Sequence, residues 1–396
     1  MRLARPELGQ LTYCTNIHAG EAWPEVVASL RTHLPEIKAA VSPGAAFGVG
    51  LRLGADAADQ LQDDAAFDEL VSLLSQNDSY VFTINGFPYG AFHGEPVKEN
   101  VYAPDWSTNE RLVYTDRLAD ILARLLPEGM AGTVSTVPGT FKAWADGHVE
   151  AITGNLIRHA AYLVELERKT GRVVMLTLEP EPCCFLETIA ESVAYFRDHL
   201  FSEAAADRLA AMTGLDRGGA SAALRRHLGL CYDVCHAAVE YEDPAASLAA
   251  LKDAGIAIGK LQLSSALRIA RVDDASFDQL RPFDEPVYLH QVIQCSGDAL
   301  TRFKDLPDAL KQADGAIGSE WRVHFHVPVF LSELKDFGTT QDFLREVLAI
   351  HSATPVSGHL EVETYTWDVL PDHYRTAGLS AAIARELNWV KGELGQ

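Results

Sequence analysis

Positive charge is scarce in this chain. Its 33 lysines and arginines face 55 aspartates and glutamates, for a formal net charge of −22. A surface this acidic repels phosphate backbones and anionic lipid, so no nucleic-acid partner is expected. Cysteine is sparse as well: there are six, and none stands in a CxxC pair. That argues against a disulfide scaffold and a zinc-finger-like structural site, and fits free thiols in a reducing compartment. No apolar run is long enough for a membrane span, so no membrane insertion is expected. The opening MRLARPELGQ has charge but no following apolar core of signal-peptide length, and the expected location is cytoplasmic. No glycine-rich phosphate loop follows the first predicted strand. No internal repeat or low-complexity tract stands out.

Alternation is what the chain does have. Strands are predicted at 11–18, 46–54, 80–87, 132–140, from 173, at 228–236 and at 258–265. Two more, at 322–330 and 359–367, flank a helical segment; one closes a ring and the other is an extra strand or part of a lid. Stretches with helical spacing of apolar residues lie between them. About eight such units predict a parallel sheet. Without the phosphate loop of an open doubly wound sheet, the expected fold is α/β, a closed (β/α)8 TIM barrel, as a single domain over residues 1–396. The rhythm breaks twice. An aromatic, glycine- and proline-rich loop spans about 88–108, and a region at about 267–321 contains VYLHQVIQC, which alternates like a hairpin strand. Both are read as insertions.

In such a barrel the chemistry gathers at the carboxyl ends of the strands. Those ends carry Asn16, His18, Asn85, Glu179, Glu181, Asp233, His236, Gln262, His326, Glu361 and Glu363. The stretch VVMLTLEPEP is a buried-strand pattern ending in Glu179 and Glu181, which share a face. HLEVETYTW does the same for His359, Glu361, Glu363 and Tyr365, and RVHFHVPVF for His324 and His326. Each carboxylate alone fits a salt bridge equally well, and each histidine alone is more often a packed core residue. Together at one rim they repel unless a cation lies between them, so a divalent metal (Mn, Zn, Co or Mg) is expected.

A metal beside two carboxylates suits proton abstraction next to a carbonyl. Glu179 and Glu363 are the candidate ligands and bases, and His236 is the group to orient a substrate oxygen or move a proton. Hydrolysis by metal-bound water fits the same residues. The partner is a small-molecule substrate, with Asn16, His18, Asn85, Glu181 and the loop residues Phe87, His93 and Trp106 expected to line its pocket. Lys98 and Lys142 fit either an anion-binding role or a solvated surface.

The Glu of LEPEP, the Asp-x-x-His of YDVCH and the Glu of EVETY resemble the xylose isomerase-like TIM barrels. That group holds sugar isomerases, ketose epimerases, inosose dehydratases and endonuclease IV. The resemblance implies metal ligands at Glu179, Asp233 and Glu363, with Glu363 also a base. Where the epimerases have a histidine ligand, LQLSS has Gln262, and His326 is available as a substitute. Where xylose isomerase has a lysine, this chain has Glu181. Longer stretches, among them TNIHAGEAW, NGFPYGAFHGEPVKENVYAPDW, STVPGTFK and HLEVETYTWDVLP, are similar to the EboE family of metabolite traffic proteins over nearly the whole chain. That similarity implies a sugar phosphate isomerase/epimerase-like barrel of the bacterial ebo operon, with other ebo operon proteins as partners. The expected function is a divalent-metal-dependent isomerase or epimerase acting on a small sugar, polyol or secondary-metabolite precursor. The alternatives are a non-catalytic metabolite-binding protein, favoured by Gln262 and Glu181, and a metallohydrolase.

Overall fold

The computed structural model describes residues 1–396 apart from Glu95, Ala313, Asp314, Thr376 and the side chain of His373. Thirteen strands are present among the described residues. The first seven are β1 (Gln10–Tyr13), β2 (Phe47–Arg52), β3 (Ser79–Asn85), β4 (Gly132–Thr136), β5 (Val174–Leu178), β6 (Leu228–Asp233) and β7 (Ile258–Leu263). Then come β8 (Ala266–Ile269), β9 (Val292–Ser296), β10 (Ala299–Phe303), β11 (Glu320–His326) and β12 (Gly338–Thr339), and last β13 (His359–Val362).

The strands β1 to β7 and β13 form one eight-stranded sheet in the order β1-β13-β7-β6-β5-β4-β3-β2. Every ladder in it is parallel. The seam between β1 and β2 is closed by a parallel bridge between Cys14 and Gly50. Thr12 completes the seam: its Oγ1 donates to Gly48 O (2.8 Å) and accepts from Gly50 N (3.0 Å). The result is a (β/α)8 barrel. Residues of these strands are buried on both faces, and the buried set includes polar ones, among them Thr12, Thr83, Thr133, Thr177, Lys260, Gln262 and Glu361.

Helices cover the outside. Val149–Thr170 buries Ile152, Leu156, Ile157, Ala160, Leu163 and Val164, a helical stripe, and stops at Gly171 with φ 70°. The C-terminal helix Leu379–Glu393 buries Ile383, Leu387 and Val390 against the barrel. Among the described residues no helix is long and apolar enough to cross a membrane.

Of the two late strand candidates, β13 closes the ring. The other, β11, lies in a separate five-stranded sheet ordered β10-β9-β11-β8-β12. It pairs antiparallel with both β8 and β9, so the parallel ring has no place for it. This second sheet begins three residues after β7 ends and carries His324 and His326.

Inside the barrel, Lys260 donates to Glu361 Oε2 at 2.5 Å, and both side chains are fully buried. Glu361 is therefore the partner of a lysine deep in the ring. Gly50 leaves room for it: a Cβ there would sit 1.8 Å from Glu361 Oε1 and 2.8 Å from Tyr13 O. Gly50→Ala is expected to cost about 3 kcal/mol in urea unfolding, because it overpacks the barrel and displaces a buried ion pair.

Candidate metal centre

Three carboxylates from three strand ends meet at the barrel mouth. Glu179 follows β5, Asp233 ends β6 and Glu363 follows β13; one oxygen from each lies within 4.8 Å of the others. All three residues are buried. Glu363 Oε1 accepts from Asn16 Nδ2 (2.7 Å) and Asn85 Nδ2 (3.1 Å). Asp233 Oδ1 accepts from His236 N (3.0 Å) and Ser264 Oγ (2.7 Å). Glu179 Oε2 and Asp233 Oδ2 have no hydrogen-bond partner although both are buried. Nor does either amide atom of Gln262, which is opposite Asp233 on one side and Glu361 on the other. Buried polar atoms are normally paired, so the unpartnered oxygens of Glu179 and Asp233, which meet at the mouth, mark room for a ligand.

The electrostatics agree. Burial, then the charge of Asp233, pushes the Glu179 carboxyl up to about 7. Burial followed by Glu179 and Asp233 raises Glu363 well above the usual carboxylate range. The nearest cation, Lys260, is already paired with Glu361. Clustered carboxylates held together at this cost are what a divalent cation relieves.

A second group adjoins the first and shares Asp233. Asp233, His236 and His326 bring ligand atoms within 4.8 Å of one another. His236 Nδ1 donates to Pro180 O (2.9 Å), and His326 Nδ1 to Glu363 O (2.9 Å). His324 Nδ1 donates to Gln291 Oε1 (2.6 Å). Those bonds set the tautomers and turn the Nε2 atoms inward. His324 Nε2 lies 3.1 Å from His236 Nε2 and 3.2 Å from His326 Nε2. Neutral imidazoles in this tautomer present lone pairs to one another. Burial holds His326 down to about 4 and His324 well below the ordinary range. His236 is raised: burial opposes its charge, but Asp233, Glu181 and Glu179 outweigh it. One proton on His236 serves one of the two contacts; a cation serves the group. Carboxylate oxygens next to imidazole nitrogens suit Mn²⁺, Zn²⁺ or Co²⁺.

A cavity opens over these residues. Asn16, Asn85, Phe87, Glu179, Glu181, His236 and Glu363 all line it. Glu181 Oε1 accepts from Tyr102 OH (2.7 Å) and Gln291 Nε2 (3.2 Å). The remaining expected pocket residues lie elsewhere. Trp106 is fully buried and donates Nε1 to Thr136 Oγ1 (3.0 Å), packed under the loop. His18 bonds Tyr13 OH (3.0 Å) and stacks on His33 at 4.5 Å, outside the cavity lining. His93 stands behind the wall: its Nε2 donates to Asn16 O (2.6 Å) and its Nδ1 accepts from Tyr288 OH (2.8 Å). Lys142 is held by Glu187 and Glu191, away from the cavity.

No protein-family model matches the sequence, and no curated protein matches it. Solved structures do resemble the fold at low identity. The zinc-bound IOLI protein is 13% identical, with 97% of each chain covered and a TM-score of 0.45. The probable 3-DHS dehydratase AsbF from Bacillus anthracis is 12% identical, covering 96% of this chain and 97% of its own, at 0.44. A xylose isomerase domain protein from Alicyclobacillus acidocaldarius is 11% identical, covering 98% and 100%, at 0.42. The barrel itself rests on the strand order of this chain.

Several lining residues escape sequence reasoning. Tyr288 and Leu289 come from the 267–321 region, and Gln291 of the same region, though not in the lining, holds Glu181 and His324. Alternation in VYLHQVIQC marks a strand, but no local signal says that it reaches the barrel mouth.

Proposed function

We propose that the protein is a divalent-metal-dependent isomerase or epimerase acting on a small hydroxy-carbonyl compound such as a sugar or polyol. The observation that carries this reading is the meeting of Glu179, Asp233 and Glu363 with two of their oxygens unpartnered. These three would hold the metal, with the imidazoles of His236 and His326 beside Asp233. When bound, such a cation polarises a carbonyl and the adjacent hydroxyl.

The chain's own groups then move the proton. Asn16 and Asn85 fix one oxygen of Glu363 and so set the direction of the other. Glu179 reaches the mouth from β5, with β6 and β7 between it and β13. One of the two takes the proton from the carbon next to the carbonyl, and the other returns it. His236, anchored through Nδ1, orients a substrate oxygen. The extension to a secondary-metabolite precursor as substrate, and to ebo-type processing or export, rests on the resemblance of the longer sequence stretches alone, since no family model matches.

The test is titration of dialysed protein with Mn²⁺ and Zn²⁺. Stoichiometric uptake that raises the thermal midpoint is expected, and Glu179→Gln should abolish the shift. Absence of uptake by the wild type would refute the metal reading. Metal uptake without proton exchange from a panel of sugars and polyols in D₂O would favour the binding-protein alternative, to which Gln262 in place of a histidine lends support.

A further inference from the structure

The cavity has two unlike halves. Its floor holds the carboxylates of Glu179, Glu181 and Glu363. Its wall is aromatic and aliphatic. Phe92, Tyr288 and Tyr365, from three separate segments, stand with ring centroids 5.2, 5.2 and 5.0 Å apart. Phe87 and Tyr102 extend that wall, in contact at 6.0 Å. Apolar faces of this kind bury ring surface rather than charge.

Among the described residues Lys98 is the one lysine or arginine that lines the cavity, and it is already committed. Its Nζ donates to Asp305 Oδ2 at 2.7 Å and to Glu285 O at 3.1 Å. Asp305 is itself fixed, since its Oδ1 accepts from His290 N and Leu306 N, both at 3.0 Å. Behind Phe92, Arg52 is spent on Glu21 (2.7 Å) and on the carbonyls of Gly20 and Gly90. Glu181 has only neutral hydrogen-bond donors, Tyr102 and Gln291. A phosphate entering here would meet the carboxylates of Glu179, Glu181 and Glu363, a lysine that is already neutralised, and His236, which is itself engaged with Glu179, Glu181 and Asp233. Phosphate sites are built the other way, with free Arg, Lys or backbone N–H groups turned inward.

We propose that this cavity takes an uncharged, ring-sized molecule, with adjacent oxygens toward the carboxylate floor and an apolar face against the aromatic wall, and that Asp305 sets its refusal of phosphate esters by holding Lys98. This rests on the metal-dependent reading for the orientation of the oxygens. The choice between neutral and anionic ligands rests on Lys98, Asp305 and Glu181.

The test uses the full chain with added Mn²⁺ and three probes in calorimetry: D-glucose, phenyl β-D-glucopyranoside and the 6-phosphate of that glucoside. The phenyl glucoside is expected to bind at least ~10-fold more tightly than glucose and than its own phosphate ester. Asp305→Asn retains the Oδ1 acceptor and frees Lys98. It is expected to raise affinity for the phosphate ester ~10-fold and leave the neutral glucoside unchanged. Lys98→Ala, the control should Asp305→Asn misfold, should leave the wild-type ranking intact. Tighter binding of the phosphate ester by the wild type, its loss in Lys98→Ala, no gain in a folded Asp305→Asn, or no binding of the phenyl glucoside would each overturn the proposal. Mn²⁺ uptake is read in the same cells without probe. Its absence would sink the metal reading alone, and the ranking of neutral over phosphorylated probe is therefore also read in metal-free protein, where Lys98, Asp305 and Glu181 decide it without a cation.

Discussion

Asp233→Asn is expected to weaken divalent-metal binding at least ~100-fold while the protein stays folded. Asp233 is the residue common to both groups, one formed with Glu179 and Glu363 and the other with His236 and His326. Its Oδ1 already serves His236 N and Ser264 Oγ, and an asparagine oxygen keeps both bonds. Its Oδ2 has no partner, and the substitution replaces that atom with an amide nitrogen that cannot ligate. Removing one of three mutually repelling carboxylates should also leave the metal-free protein as stable as the wild type or more so, the usual trade between function and stability at a charged site. Calorimetric titration with metal and urea unfolding of the metal-free form check the two halves. Unchanged metal affinity would mean that the carboxylates meet for some other purpose.

Glu386→Gln is expected to add about 3 kcal/mol of stability above pH 7 and almost none near pH 4. Glu386 lies on the C-terminal helix, fully buried, with Oε1 accepting from Val329 N (3.0 Å) and Thr364 Oγ1 (2.7 Å). Burial pushes its carboxyl up to about 7, against the lowering effect of those two bonds. The folded state thus holds the proton more tightly than the unfolded chain. Below the unfolded value, near 4.5, both states are protonated and nothing is lost. As pH rises through 7 the folded protein must bury a charge that the unfolded chain solvates, and stability falls. Glutamine keeps the acceptor and removes the charge. Urea unfolding of both proteins at several pH values measures the difference. A gap that fails to widen between pH 4 and 8 would contradict this account of Glu386.

The order of strands and helices was legible because short strand-like runs, clearest in VVMLTL, alternate with stretches of helical period. The rim positions were legible for a related reason: a charged residue directly after such a run stands where the strand leaves the core. Glu179, Asp233 and Glu363 could be picked out in that way. Their exchange of partners could not. Glu361 has the same local signal as Glu363, yet it points down to Lys260, while Glu363 points up to two asparagines. Trp106 had the look of a pocket wall, since aromatic loops often cover sites, but it folds under its loop to reach Thr136. Lys98 read as an anion holder or a solvated lysine and not as an ion-pair member, because Asp305, its partner, is 207 residues away along the chain.

By itself the sequence determined the barrel, its count of strands and the acidic, imidazole-rich rim, because periodicity and strand-end charge are local properties. Only the tertiary structure decided that β13 rather than β11 closes the ring. It alone brought His324 and His326 over the mouth on an antiparallel sheet, and paired the cavity's Lys98 with Asp305. Each of those outcomes depends on contacts between segments far apart in the chain, and no window of sequence contains both partners.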